Sequence, residues 1–555
     1  MKNRLSITAI GIIAIVLILF RVSYPKEQGE ALKLTKWDAF GYYMYNPSIF
    51  IYGDVSELKW VTEIDSTYEL TGGEFYQATK LDNGNYVNKY LGGVAIMQLP
   101  FFLGGHLYAS LSSYPADGFS APYQWAIAIS ALFYCLFGFF ILRQVLIRYF
   151  DDWVVAITLL FLALGTNLIQ YVAIDGAQSH IYIFPLYALI LYFTIKWHES
   201  PNWKWAALIG AAIGLATICR PTELIMLFIP LLWNTHTKEE KQKKWQLVRE
   251  NRKHFYVVLI FGLIGILPQL IYWKVTSGDF VYNVGSKWFF FNPWFRVLFG
   301  IDNGFFIYTP LTILFVLGFF FMKKYSFQRS VLVFGLLNIW IIMAWSDWRY
   351  GATFSTRAMV QSYPVYALGL AAFIHWTWRR NFAKYTTLLF GLYMMVVNLF
   401  QIGQYNALII NYRDMSWAYY GRIYLNPSPS TLDMSLLDGD DFIYDEREFK
   451  KKTIYNKPEL GEFQFQDHKG SYLKVEARIN TTKGFDSNVL QIEVGKKKTA
   501  KVRLHNPIAK RGDANDYAFY IKIPEKVKSN LALISIYGAE SFEGEIEMLK
   551  VTQFY

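Results

Sequence analysis

The chain has 555 residues, 54% of them hydrophobic and 17% charged, with a mean hydropathy of +0.20. Aromatic residues make up 19%, which excludes a disordered scaffold, because such chains are poor in aromatics and rich in charge. Two cysteines, Cys135 and Cys219, both inside apolar runs, exclude a disulfide framework and a cysteine-based metal module. The net charge of +11, in a chain whose apolar residues gather into runs of membrane-spanning length, is a topology signal; no nucleic-acid partner is expected.

The elements follow in chain order. A short basic start, Lys2 and Arg4, precedes the apolar run 5–20; RVSYPKEQ follows without a small-residue cleavage site, so the run reads as a first, uncleaved helix. Further runs lie near 124–142, 153–172, 181–197, 204–219, 222–234, 255–275, 305–322, 330–346, 359–377 and 385–405. Arg220-Pro221-Thr222 separates two short runs, and Pro221 forbids a smooth continuation, which predicts a tight membrane hairpin. With the N-terminus inside, about nineteen basic residues fall in inner loops, including the cluster from Lys238 to Lys253, against about five in the short outer loops. The expected fold class is therefore a polytopic α-helical membrane protein of about eleven helices, N-terminus inside.

Two large pieces then lie outside, the loop 21–123 and the tail 411–555. The tail alternates as strands do at 472–479, 488–495, 500–505, 517–524, 531–538 and 544–555, which predicts a β-sandwich domain. Its aromatics Tyr517, Phe519 and Tyr537 either stack on a sugar or fill the sandwich core. The expected domains are a membrane body over 1–410 and a β-sandwich over 411–555.

The first outer loop opens LTKWDAFGYYMYNPSIFIYGD (34–54). A helix over 37–46 would put Asp38, Gly41, Tyr42 and Tyr45 on one face. An acid among aromatic rings at a membrane interface is suited to function, although a helix cap beside an interfacial tyrosine belt has the same pattern. Further on, YVNKYLGGVAIMQLPFFLGGHLYASL (86–111) sets Lys89 between Asn88 and Tyr90. Such a lysine either snorkels to headgroups or holds a lipid phosphate as a point charge.

An acid just after the first helix, an interfacial helix pair and the Asn88-Lys89-Tyr90 sequence before Gly-Gly resemble the GT-C superfamily of glycosyltransferases. Within it, the membrane body resembles the PMT-like, RgtA/B/C/D-like and aminoarabinose-transferase-like branch. Four other segments are similar to that branch: DGAQSHIYIFPLYALILYF (175–193), GLATICRPTELIMLFIPLLW (214–233), FGIDNGFFIYTPL (299–311) and WSDWRYGATFSTRAMVQSYPVYALGLA (345–371). The resemblance covers about 1–410 and leaves the tail uncovered.

The resemblance implies inverting sugar transfer from a polyprenyl-phosphate donor, at the outer face of a bacterial cytoplasmic membrane, to an envelope glycan, lipid or protein acceptor. It carries the family's first-loop acid onto Asp38 as general base. The anionic leaving group calls for cations, and Lys89, Arg220, Arg349 and Arg357 are outer-side basic residues expected to bind the donor phosphate. Tyr42, Tyr45, Asn88, Tyr90, His180 and Asp302 are the expected substrate-binding residues. No metal is asserted; a divalent cation stays open as cofactor, because some relatives use one and others do not. Asp38 has no adjacent acid, so a second carboxylate has to come from elsewhere, with Asp54 and Glu57 available only if the loop folds back. The competing readings are a lipid or glycan transporter and a non-catalytic membrane subunit of an export or assembly complex.

Overall fold

A computed structural model describes residues 4–23, 32–466, 468 and 470–555; Lys2, one of the inner-side charges, lies outside them. The chain divides into two compact units, Met1–Ile402 and Gly403–Tyr555.

In the first unit all eleven apolar runs fall on helical segments, so the chain is a polytopic helical membrane protein. Among the described residues, five helices are long and apolar enough to cross a bilayer alone: Arg4–Ser23, Ala121–Leu146, Ser179–Glu199, Lys253–Ser277 and Asn381–Asn406. The rest are shorter for local reasons. The run 153–172 is not one helix: Asp152–Leu164 stops at Gly165, and a π-helical turn, Gln170–Ile174, follows. A Cβ on Gly165 would lie 2.5 Å from Leu311 Cδ1, and the Asn398 amide donates to the freed carbonyls of Leu164 (2.9 Å) and Thr166 (2.7 Å), as a helix end inside apolar surroundings requires. Pro221 breaks the next pair as expected, with Trp203–Cys219 ending before the 3-10 turn Pro221–Leu227.

Helix Lys253–Ser277 packs closely against Trp203–Cys219. Gly210 and Gly214 let the backbones of Trp203–Cys219 and this helix touch: a Cβ on Gly210 would lie 2.2 Å from Val258 O, and one on Gly214 2.3 Å from Gly262 O. Small residues at the seam are what membrane helices use, because lipid supplies no hydrophobic drive to associate. On the predicted inner side, the basic cluster forms helix Lys238–Glu250. Its buried Lys244 amine donates to the carbonyls of Pro230 (2.7 Å), Leu231 (2.5 Å) and Trp233 (2.8 Å), closing the end of helix Phe228–Leu232.

The long segment after the first helix folds on an aromatic core of Phe40, Tyr43, Trp60, Phe102, Phe119 and Tyr123. The single helix expected over 37–46 is instead two, Asp38–Tyr43 and Tyr45–Phe50, meeting at Met44. Then come helix Val61–Tyr68, a short hairpin pairing Ala78–Lys80 with Tyr86–Asn88, and helix Gly93–Ser110.

The second unit contains two four-stranded antiparallel sheets. One has the order Lys451–Asn456, Glu543–Phe554, Tyr472–Lys483, Ala514–Lys522, and the other Gly461–Gln464, Leu531–Gly538, Asn488–Val494, Lys498–Arg503. Leu473, Val475 and Ile521 of the first share one core with Leu490, Ile492 and Ile534 of the second, which makes a sandwich. The expected strands appear, together with Lys451–Asn456 and Gly461–Gln464, whose polar sequences hide them. Tyr517 and Phe519 fill the core and Tyr537 stays exposed.

Candidate functional site

The site starts at a strained residue. Trp37 has φ 55°, a left-handed conformation that bulky side chains rarely adopt. Three contacts hold it: its N–H donates to Leu70 O (2.8 Å), its carbonyl accepts from Gln77 Nε2 (3.1 Å), and its ring occupies the space a Cβ on Gly72 would take. Strain kept by surrounding structure marks functional sites, and here it sets Asp38 at the first position of its helix.

Asp38 is bound on both oxygens. Oδ1 accepts from the hydroxyls of Tyr90 (2.5 Å) and Tyr76 (2.9 Å), and Oδ2 from Arg357 (2.6 Å). Burial alone would push the carboxyl up, but the Arg357 charge, the Tyr90 bond, the Arg357 bond and the Tyr76 bond outweigh it and hold Asp38 below the ordinary carboxylate value. The hydroxyls of Tyr90 and Tyr76 are raised, first by burial and then by the Asp38 charge, so they remain donors.

The Asn88-Lys89-Tyr90 turn carries Tyr90 to this point. Asn88 Nδ2 donates to Gly41 O (2.7 Å), its Oδ1 accepts from Tyr90 N (2.9 Å), and its own N–H donates to Tyr272 Oη (2.9 Å). Tyr45 donates to Tyr90 O (2.6 Å), and the Tyr42 ring meets the Tyr90 ring edge-on at 4.7 Å. Gly41 is required: a Cβ there would lie 2.1 Å from the Tyr90 ring. Asn88, Tyr42 and Tyr45 thus converge on Tyr90. Lys89 is exposed, and among the described residues its amine forms no salt bridge.

The arginines fall into two kinds. Arg357 pairs with Asp38, and Arg349 with Asp302 (3.2 Å) while lying over the Trp348 ring (4.3 Å). Arg220 is half-buried and, among the described residues, in no salt bridge; its NH1 lies 3.2 Å from His180 Nδ1. Buried His180 also contacts Gln361 Oε1 (2.8 Å), and Gln361 stands four residues after Arg357. Two sets of contacts result, Asp38 with Arg357 and His180 with Gln361 and Arg220, carried on the same turn by Arg357 and Gln361.

Four participants were not among the expected site residues: Tyr76, Asp175, Glu223 and Gln361. Asp175 accepts from Gln170 Nε2 (2.9 Å) and also feels the charge of Arg357; burial nonetheless pushes its carboxyl up against Gln170, Arg357 and Arg21. It is the second acid of the region. Asp54 and Glu57 are not: Asp54 accepts from the backbone N–H groups of Ser56, Glu57 and Lys59, and Glu57 pairs with exposed Lys59. Glu223, an acid inside an apolar run, was the readable signal, since intramembrane acids are functional by default.

Among the described residues no cluster of three or more His, Cys, Asp or Glu is arranged to hold a metal ion. Around Asp38 the partners are two hydroxyls and a guanidinium rather than further acids, and Oδ2 keeps a lone pair beyond its bond from Arg357.

Residues 119–273 match the profile of the dolichyl-phosphate-mannose-protein mannosyltransferase family. This stretch holds the Ser179-His180 and Arg220-Pro221-Thr222 motifs. The GT-C resemblance holds on this segment. Among solved structures, the chain is similar to the archaeal oligosaccharyltransferase AglB from Archaeoglobus fulgidus, solved with an inhibitory peptide and a dolichol-phosphate, at 12% identity and a TM-score of 0.44. That alignment covers 78% of this chain and 59% of the other. No curated protein matches the sequence.

Proposed function

We propose that the protein is an inverting glycosyltransferase that moves a sugar from a polyprenyl-phosphate donor to an envelope glycan, lipid or protein acceptor. It works at the outer face of a bacterial cytoplasmic membrane, with the N-terminus inside and the β-sandwich over 411–555 outside. The observation that carries this reading is Asp38, held ionised by Arg357, Tyr76 and Tyr90, with Arg220 and Lys89 as cations that form no salt bridge among the described residues. The mannosyltransferase-family match over 119–273 supports it.

The acceptor oxygen attacks the anomeric carbon from the face opposite the phosphate, and its proton passes to Asp38 Oδ as the new C–O bond forms. The bond from the anomeric carbon to the phosphate oxygen breaks, and polyprenyl phosphate leaves with the electron pair. Arg220 and Lys89 stabilise the charge that develops there. Arg349 is held by Asp302 and Arg357 by Asp38, so these two shape the site. Asp175, facing the same guanidinium as Asp38, is its second carboxyl.

The test is purified protein, wild type beside Asp38→Asn, with a panel of polyprenyl-phosphate sugars, following release of polyprenyl phosphate. Release by the wild type alone supports the reading. Equal release by both overturns the role of Asp38, and the absence of release and binding across the panel overturns the activity.

A further inference from the structure

Glu223 sits three residues after Arg220 and is fully buried. Three donors converge on it: Tyr187 Oη to Oε2 (2.5 Å), and Gln361 Nε2 (2.5 Å) and Thr222 Oγ1 (3.1 Å) to Oε1. A carboxyl that takes three donors on two oxygens is acting as an acceptor on both. The Gln361 amide is thereby oriented, since turning it over would press its oxygen against a carboxylate oxygen at 2.5 Å. Its own oxygen then faces His180 Nδ1 at 2.8 Å. An amide oxygen only accepts, so Nδ1 carries the hydrogen. With the Arg220 guanidinium 3.2 Å away, the ring stays neutral, and a neutral imidazole protonated at Nδ1 has its lone pair on Nε2. Arg220 cannot donate to a nitrogen that already bears hydrogen, which leaves its N–H groups for a ligand.

We propose that His180 meets the substrate through Nε2 as a hydrogen-bond acceptor, and that Gln361 and Glu223 are positioning residues that fix this tautomer. Among the described residues Nε2 receives no hydrogen bond from the protein, and it is not one of the sealed, unpartnered buried atoms, so it keeps a small accessible surface in a residue that is only 1% exposed. A lone pair repels phosphate oxygens and takes an O–H donor. Beside Arg220, which takes the anion, the partner of Nε2 is a hydroxyl of the sugar on that phosphate. Only this last identification rests on the sugar-transfer reading; the tautomer follows from the protein's own contacts.

The experiment is nitrogen-15 spectroscopy of histidine-labelled full-length protein, with the His180 signals assigned by their loss in His180→Gln. The expected wild-type spectrum has a protonated Nδ1 and an unprotonated Nε2. Glu223→Gln allows the Gln361 amide to turn and should populate the Nε2–H form; Gln361→Leu, which removes the acceptor, should do the same and serves if the first variant does not fold. An Nε2–H or doubly protonated ring in the wild type, or unmoved populations in the variants, overturns the relay. The second arm adds undecaprenyl phosphate, then its mannose, glucose and 4-amino-4-deoxyarabinose adducts. A change in the Nε2 signal with an adduct and none with the sugar-free lipid supports the hydroxyl contact; an Nε2 signal unmoved by every adduct overturns it. Turnover recorded on the same samples reads the glycosyltransferase assignment separately.

Discussion

Asp38→Asn separates catalysis from packing when it is combined with Arg357→Gln. The Asp38 and Arg357 side chains are 26% and 12% exposed and 2.6 Å apart, between a surface ion pair worth about 0–1 kcal/mol and a buried one whose breakage costs about 3–5. Removing the acid alone strands the guanidinium and should destabilise the fold by about 2 kcal/mol on that scale. The double variant removes both charges and should regain most of that loss. Turnover should behave differently. Loss of a general base costs about 10²–10⁴-fold, roughly 3–5 kcal/mol of barrier, and the double variant has no base to restore. Thermal unfolding in detergent and release of polyprenyl phosphate measure the two quantities on the same four proteins. If Asp38→Asn melts with the wild type, the pair is not an energetic unit. If the double variant regains turnover, Asp38 is not the base.

The pH dependence follows from the sign of the Asp38 shift. Its folded value lies below the ordinary 3.8, so the stability contributed by the pairing is present above the unfolded value and lost only as pH falls through the lower folded one. Wild-type turnover should therefore show no acid limb from Asp38 above about pH 4, whereas Arg357→Gln leaves burial as the dominant influence and should bring such a limb into a profile recorded from pH 4 to 8. Lys89→Ala should weaken donor binding by about tenfold, the loss of one charge-assisted hydrogen bond, and should lower kcat as well, since the charge on the leaving phosphate grows in the transition state; an unchanged Kd for polyprenyl phosphate would leave Lys89 as a headgroup lysine. Gly214→Leu should lower the melting temperature sharply, because even its Cβ would lie 2.3 Å from Gly262 O and overpacking costs about 1–3 kcal/mol. Wild-type melting of this variant would show that the two helices part without consequence. Gly41→Ala, which drives a methyl into the Tyr90 ring, should reduce turnover more than it reduces stability.

The membrane body was legible because the bilayer forces long apolar runs, and each run falls on helical segments. Its interruptions were less so: the break after Leu164 depends on Gly165 against Leu311 and on the Asn398 amide, a partner more than two hundred residues away. In the first loop, Asp38, Lys89 and Tyr90 could be singled out because a charge among aromatic residues near a helix end is suited to function and because the family resemblance falls on them. Their pairing could not, since Arg357 reaches Asp38 across 319 residues. Tyr76 gave no signal among 40 tyrosines. The strand Lys451–Asn456 was hidden because its sequence, KKTIYN, is exposed along most of its length.

The four cations expected on the outer side looked alike in sequence, and their partners divide them. An arginine already matched to a carboxylate has little field left for an anion, so Arg357 and Arg349 serve best as fixed walls, one orienting Asp38 and the other Asp302. Arg220 and Lys89 form no salt bridge among the described residues, and on the proposed reading they are where a phosphate gains most. The same logic accounts for the acids. Asp38 is pulled down by Arg357 and two hydroxyls, whereas Asp175 is pushed up by burial despite feeling the same guanidinium. Two carboxyls driven in opposite directions around one arginine are suited to different tasks, and on the proposed reading Asp38, the one held down, is the one that stays ionised to take a proton.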